Sequence, residues 1–497
     1  MSAPRVRLRS GVGPLLLVAG VLLGVLLWAG MAVVGPAVAL LPMALVICWW
    51  LFWHPLPTLG LLFATTVLIE GQSEVWPVTL DRWYGTIGPT PLHPPDLLVL
   101  LLLGWVVHER VRTTRPGPGL GPFAPPMALL AVALAFGLVT GYLGASDRID
   151  LIGSARVLAL LLVVPLVTAE VLGRTARTRA AVGFAVALVA GRAAIALAGV
   201  LTGRAPGAPG SSGVTAAVSA EASTFYEPTM NFLMVVTVLG ITVALVRRLS
   251  LPRWLLLVAP MLLVTIALSY RRSFWIATIL GLVLVLLVAT GRRGRPWLVL
   301  GGAAVVLALY VAISAGGSTD ATNPVLYRAE SLNPSKLTTT TGDRYRLDEQ
   351  RNVLAELRAH PLTGLGLGVP WTVRFALSEY HEGGQLYTHV TPLWFWLKLG
   401  PLGLVAYVWL WAIAIRTAYR VWRRGSDGRV RAGALALAAG FCGLIVAELT
   451  GPFTGIDVRI TLVVGMCFGW LVAAAAAIRP PTGAEDDDAR RYAVAAR

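Results

Sequence analysis

The sequence predicts an all-α, polytopic integral membrane protein with about 12–14 transmembrane helices and one large extracytoplasmic loop subdomain. Three observations carry that expectation. Of 497 residues, 56% are hydrophobic and only 13% charged, against roughly 25% charged in a soluble domain, and mean hydropathy is +0.73. Apolar windows of spanning length recur along the chain, and arginines cluster in alternate connections between them. A soluble enzyme, a disordered tail protein and a nucleic-acid binder are excluded on this composition. The formal charge of +16 is then a topology signal rather than the footprint of a nucleic-acid partner.

The windows lie near 12–32, 36–53, 56–70, 96–108, 125–143, 151–172, 180–201, 228–246, 254–270, 273–290, 296–314, 390–421, 432–448 and 459–478. A helix crosses a bilayer in roughly 20 mostly apolar residues, and several of these windows, notably 96–108, are short for that. The window 390–421 is too long for one perpendicular span, so its first part is expected to tilt or to run along the interface before Pro401. The first window lacks an A-x-A cleavage site and another follows at once, so it reads as a retained span. Cys48, Cys442 and Cys467 lie in apolar runs without metal-ligand spacing and read as buried free thiols.

Arg5, Arg7 and Arg9 place the N-terminus in the cytoplasm, and basic connections then fall on the same side. These hold Arg110/Arg112/Arg115, Arg174/Arg177/Arg179, Arg247/Arg248/Arg253, Arg292/Arg293/Arg295 and Arg416 through Arg431, with Arg479, Arg490 and Arg491 in the tail. Both termini of this multi-pass membrane protein are therefore expected in the cytoplasm. The other connections face outward, and one, residues 316–388, is long enough for a small subdomain. The expected organisation is a helix bundle over 1–315, the loop over 316–388, further transmembrane helices over 389–478 and a disordered cytoplasmic tail over 479–497.

Several residues break this pattern. Arg271 and Arg272 sit between two spans on the outward side, against the positive-inside trend. They read either as snorkelling anchors or as an anion site. Arg346 to Arg358 reads as an amphipathic helix with Leu347, Val353, Leu354 and Leu357 on its apolar side, Arg346 and Glu349 as an i,i+3 pair, and Pro361 as its stop, either as part of the site or as a solvated helix lying on the membrane. Gly364, Gly366 and Gly368 follow in a G-x-G-x-G spacing. Val369 stands where a phosphate loop would need glycine, so a tight, closely packed turn is the expectation. His389 opens the next window, as a structural histidine or as a general base or phosphate binder. Arg156 and Arg192 lie inside apolar runs, where an ionisable residue is a functional candidate. Glu221, Glu227 and Asn231 sit at an outward mouth, where a carboxylate can pair with an arginine.

In this order the pieces resemble the O-antigen ligase / O-antigen polymerase family over about residues 254–421. The resemblance rests on Arg272 three residues before Trp275, on the large loop, and on Arg346-x-x-Glu349-x-x-Asn352. It rests further on His-Pro-Leu-x-Gly-x-Gly-x-Gly at His360–Gly368 and on His389 spaced from Gly400 and Gly403. Val390, Arg271 and Gln350 depart from the family's usual residues at their positions.

The resemblance implies a metal-independent glycosyltransferase without cofactor. Such an enzyme moves a glycan from a polyprenyl-diphosphate carrier to a hydroxyl of a glycan or glycolipid acceptor at the outer face of the membrane. Arg272, Arg346 and His389 are the implied catalytic residues. Arg271, Arg344, Glu349, Arg156 and Arg192 are expected to bind diphosphate or glycan, with Glu349 orienting an arginine. The partners are the lipid-linked donor, the acceptor and the bilayer, with no nucleic acid. The competing readings are a transporter or flippase without chemistry and a polyprenyl-monophosphate-dependent enzyme with metal-binding acidic residues. Asp81 and Glu74 keep the latter open.

Overall fold

The structure, a computed structural model, describes residues 41–69, 83, 92–113, 117–144, 147–173, 175–201, 228–269, 271–290, 341–377 and 384–478. These are almost all helical, with no strand among them. The helices are α1 (Leu41–Trp53), α2 (Pro55–Leu68), α3 (Pro94–Arg112), α4 (Ala124–Gly144), α5 (Arg148–Leu172), α6 (Thr175–Leu201) and α7 (Pro228–Val246), followed by α8 (Trp254–Leu268), α9 (Arg272–Ala289), α10 (Thr341–Ala359), α11 (Thr391–Arg424), α12 (Gly428–Glu448) and α13 (Val458–Ala476).

Twelve of the fourteen apolar windows coincide with these helices. The windows 12–32 and 296–314 lie outside the described residues, as do Glu221, Glu227, Asp81 and Glu74. Among the described residues, eight helices are long and apolar enough to cross a membrane, and α1 with α2 form a bent pair that meets the same test jointly. Two of the expected spans lie outside the described residues, and two further windows within them do not meet the test for physical reasons. Helix α3 carries Asp96, His108, Glu109, Arg110 and Arg112, and α8 has only 15 residues, about 22 Å at the helical rise.

The chain divides into two compact units, Met1–Thr58 and Leu59–Arg497. In the first, the imidazole of His54 stacks on Trp50 at 4.5 Å and the Thr58 hydroxyl donates to the Leu51 carbonyl at 2.6 Å. In the second, α13 lies along α5, α12 is packed by α7, α9 and α11, and α4 packs on α11. Aspartates start the helices. Asp147 accepts from Ile149 N–H at 2.7 Å, Asp427 from Arg429 N–H at 2.8 Å and Asp457 from Arg459 N–H at 2.8 Å, the side-chain cap that exposed first-turn N–H groups require.

Many of the described arginines gather at one end of the helices. Arg110 pairs with Glu170 where α3 and α5 both finish. Arg179 at the start of α6 stands 3.7 Å from Asp427 at the turn into α12. Arg247 and Arg431 lie over the Trp422 ring at 5.0 and 5.1 Å. The alternate connections lead to the opposite end, where the remaining polar residues of interest are found. The three cysteines are free, as expected, but each is half-buried rather than buried.

The long window at 390–421 is broken where its first part is expected to end. Gly400 has φ 68° and ψ −171°, so α11 is two helical segments joined at this residue, directly before Pro401. A side chain here would meet the Leu362 carbonyl at 2.7 Å, which is why glycine occupies the break.

Candidate functional site

At the end away from the basic clusters, Glu349 of α10 meets His389, two residues before α11. One carboxylate oxygen accepts the His389 backbone N–H at 2.6 Å, and the other lies 2.5 Å from imidazole Nδ1. The Glu349 side chain is 1% exposed and that of His389 is 20% exposed. A carboxylate against Nδ1 favours the tautomer with its proton on that nitrogen, and in the neutral ring of that tautomer Nε2 carries the lone pair that can take a proton from a substrate. Tyr345 and Tyr387 stand edge-on to the imidazole at 5.8 and 5.7 Å, which limits its rotation. Burial, and then the Glu349 charge, push the Tyr387 hydroxyl above the usual tyrosine range.

The segment between α10 and α11 sets this geometry. Gly364, Gly366 and Gly368 all have positive φ, at 63°, 91° and 71°. A Cβ on Gly366 would fall 2.3 Å from the Gly141 nitrogen, and one on Gly368 would fall 2.6 Å from the Leu151 nitrogen. The strip therefore threads between α4, the start of α5 and α11, backbone against backbone. It is tied there by Leu367 N–H to the Gly137 carbonyl at 3.0 Å and by Leu365 N–H to the Leu397 carbonyl at 2.6 Å. This is the packed turn expected from the glycine spacing. Buried Lys398 donates from Nζ to the Val369 carbonyl at the end of the strip. Beyond it, buried Trp371 donates from Nε1 to the Tyr387 carbonyl at 2.9 Å, fixing the residues just before His389.

Helix α10 is held by polar contacts on its inner side. Asn352 is buried, and its Oδ1 accepts Arg374 N–H at 2.6 Å and Phe375 N–H at 2.7 Å. Glu356 pairs with Arg374 through both oxygens at 3.2 and 3.3 Å. The buried side is thus Tyr345, Glu349, Asn352, Val353, Glu356 and Leu357. This corrects the expected apolar side, because Leu347 and Leu354 are exposed while three polar residues turn inward. Their charges and amides are satisfied there, which hydropathy alone does not register.

A short chain of contacts links the start of α11 to α9. Thr391 donates from Oγ1 to the Gly451 carbonyl at 2.9 Å and accepts Phe453 N–H at 3.1 Å. The Phe453 ring lies 5.7 Å from the Arg271 guanidinium, and Arg272 is the first residue of α9. Arg271, Arg272 and Arg346 are half-buried and Arg344 is exposed, with Arg346 one helical turn before Glu349. The candidates on α9, α10 and α11 therefore converge on one end of the bundle. Both Glu349 oxygens engage His389, where an arginine is the partner expected from the sequence.

Arg156 has a protein partner. Its Nε donates to Asp96 Oδ2 at 2.6 Å, and the same oxygen accepts His93 N–H at 2.8 Å to cap α3. Arg192 is buried within α6 at 2% exposure.

The comparison that bears on this arrangement covers α8 to the middle of α11. Residues 255–408 match the O-antigen ligase family. The O-antigen ligase segment contains Arg271, Arg272, Arg346, Glu349 and His389, and it supports a membrane glycan-transfer function of O-antigen ligase type. No curated protein matches the chain.

Sequence reasoning assigned no role to several buried ionisable residues of the O-antigen ligase segment and its surroundings. Lys398 and Glu356 lie inside the segment, and Asp96, Glu448 and Arg459 outside it. Glu448 bonds the Tyr407 hydroxyl and accepts Thr454 N–H at 3.1 Å, bracing the loop that carries Phe453. Arg459 donates twice to the Thr66 carbonyl, at 3.2 and 2.9 Å. A signal was present, since charges inside apolar runs are costly and call for partners.

Proposed function

We propose that this protein transfers a glycan from a polyprenyl-diphosphate carrier to an acceptor hydroxyl on a glycan or glycolipid. The site faces outward from the bacterial cytoplasmic membrane, and the basic connections and both termini lie in the cytoplasm. The observation that carries the reading is the Glu349–His389 pair inside the O-antigen ligase match.

In this reading His389 Nε2 takes the proton of the acceptor hydroxyl as its oxygen attacks the anomeric carbon. The bond from that carbon to the diphosphate oxygen breaks, and polyprenyl diphosphate leaves with the bonding electrons. Glu349 is a positioning residue, which fixes the imidazole tautomer and balances the charge that develops on it. Arg272 and Arg346 compensate the leaving diphosphate with permanent charge, and Arg271 and Arg344 assist. Arg192 is a further donor-binding candidate as a cation buried in an apolar helix.

The test is conversion in detergent. Purified protein is incubated with a polyprenyl-diphosphate-linked glycan and a glycolipid acceptor, with and without EDTA. Coupled appearance of polyprenyl diphosphate and glycosylated acceptor in both arms is the expected result. An unchanged donor with no membrane to cross favours transport, and loss in EDTA alone favours a metal-dependent enzyme.

A further inference from the structure

Helix α10 presents a second face that shares only Arg344 with the site. At 3.6 residues per turn, Arg344, Leu347, Arg351, Leu354 and Arg358 fall within an arc of about 80°, centred opposite the buried residues. All five are exposed, with both leucines at 41%. A solvated face has no use for leucines at this spacing, and a protein-covered face would not expose three arginines between them. The row runs on toward the bundle. Leu362 is 76% exposed, and its carbonyl abuts Gly400 at the break in α11. The neighbouring Pro361 carbonyl accepts the Trp396 indole N–H at 2.9 Å. The end of α10 is thereby fastened to the first segment of α11, a helix of membrane-spanning length.

We infer that this face of α10 rests on the bilayer surface, its leucines entering the acyl boundary and its arginines meeting the phosphates of anionic phospholipids. Arginine carries a long apolar stem that lies along a lipid surface while its guanidinium stays at headgroup level. Leucine between such arginines inserts where the stems end. The positive row selects an anionic surface by charge complementarity. Seated this way, α10 is steadied from below while its opposite side holds Glu349 against His389, and the inference stands whatever reaction the site performs.

The experiment places a spin label at Leu347→Cys or Leu354→Cys in the full chain, with Cys48, Cys442 and Cys467 replaced by Ala. The protein is reconstituted in nanodiscs of phosphatidylcholine with or without phosphatidylglycerol, and label access to oxygen and to a soluble nickel chelate is compared. Oxygen access exceeding nickel access at both positions is expected, with the ratio rising at least about twofold when phosphatidylglycerol is present. Arg351→Gln/Arg358→Gln abolishes that rise. Dominant nickel access overturns the inference in favour of a solvated face, and exclusion of both reagents overturns it in favour of a protein cover. Equal ratios in the two lipid mixtures overturn the assignment to anionic lipid.

Discussion

Glu349 grips His389 at two points, the backbone N–H at 2.6 Å and ring Nδ1 at 2.5 Å, so one carboxylate sets both the place and the tautomer of the imidazole. The two residues are 40 apart in sequence and are brought together by a glycine-rich strip that packs on α4 and α5.

Glu349→Gln keeps an acceptor for the backbone N–H but removes the charge beside Nδ1. The expected result is a fall in kcat of about a hundredfold to ten-thousandfold, the range of positioned acid–base catalysis, with KM for the donor nearly unchanged. Steady-state kinetics in detergent check it. A KM effect alone would make Glu349 a binding residue.

Arg156 and Asp96 form a mostly buried ion pair. Breaking it with Arg156→Leu alone is expected to cost about 3–5 kcal/mol, while Arg156→Leu/Asp96→Leu recovers most of the loss. Thermal unfolding of the purified variants reads this directly. Transfer activity should survive in the double variant, and its loss would return Arg156 to the donor site where the sequence had placed it.

Gly366→Ala puts a Cβ 2.3 Å from the backbone of Gly141 at a φ of 91°. Neither backbone can yield cheaply, so a loss of about 1–3 kcal/mol or more is expected, with a matching fall in Tm. Gly183→Ala lies in a helix with nothing within 4 Å and serves as the control, neutral or slightly stabilising.

Burial first, and the Glu349 charge second, hold the Tyr387 hydroxyl above its ordinary pKa of 10.0. The folded state then keeps this proton where the unfolded chain releases it, so stability falls as pH climbs from the ordinary value through the raised one. Removing the carboxylate by Glu349→Gln should lower the Tyr387 transition while leaving it above the ordinary value. Tyrosinate absorbance, with Tyr387→Phe subtracted, measures the shift.

The spans were legible because spanning length and apolarity are written along one dimension, and twelve windows became helices. The glycine strip was legible as a tight turn for a similar reason, since G-x-G-x-G is a local pattern. What hydropathy missed was three-dimensional. Nothing local to Arg156 announces Asp96, which lies 60 residues away. The apolar side expected of α10 joins Leu347 and Leu354 to Val353 and Leu357, yet satisfied polar groups, Asn352 and Glu356, take the inner side beside the latter two. Glu349 stood one turn from Arg346 and was read as its partner, until the fold brought in a histidine from beyond the strip.

The central claim is that outward-facing arginines and His389 together carry glycan transfer. The most direct measurement is turnover of a polyprenyl-diphosphate-linked glycan by purified Arg272→Ala, Arg346→Ala and His389→Ala proteins matched for Tm. Each is predicted to lose at least about 99% of wild-type transfer, a loss of some 2.7 kcal/mol in transition-state stabilisation, while remaining folded. Wild-type turnover in Arg272→Ala and Arg346→Ala, or in His389→Ala, would contradict the account.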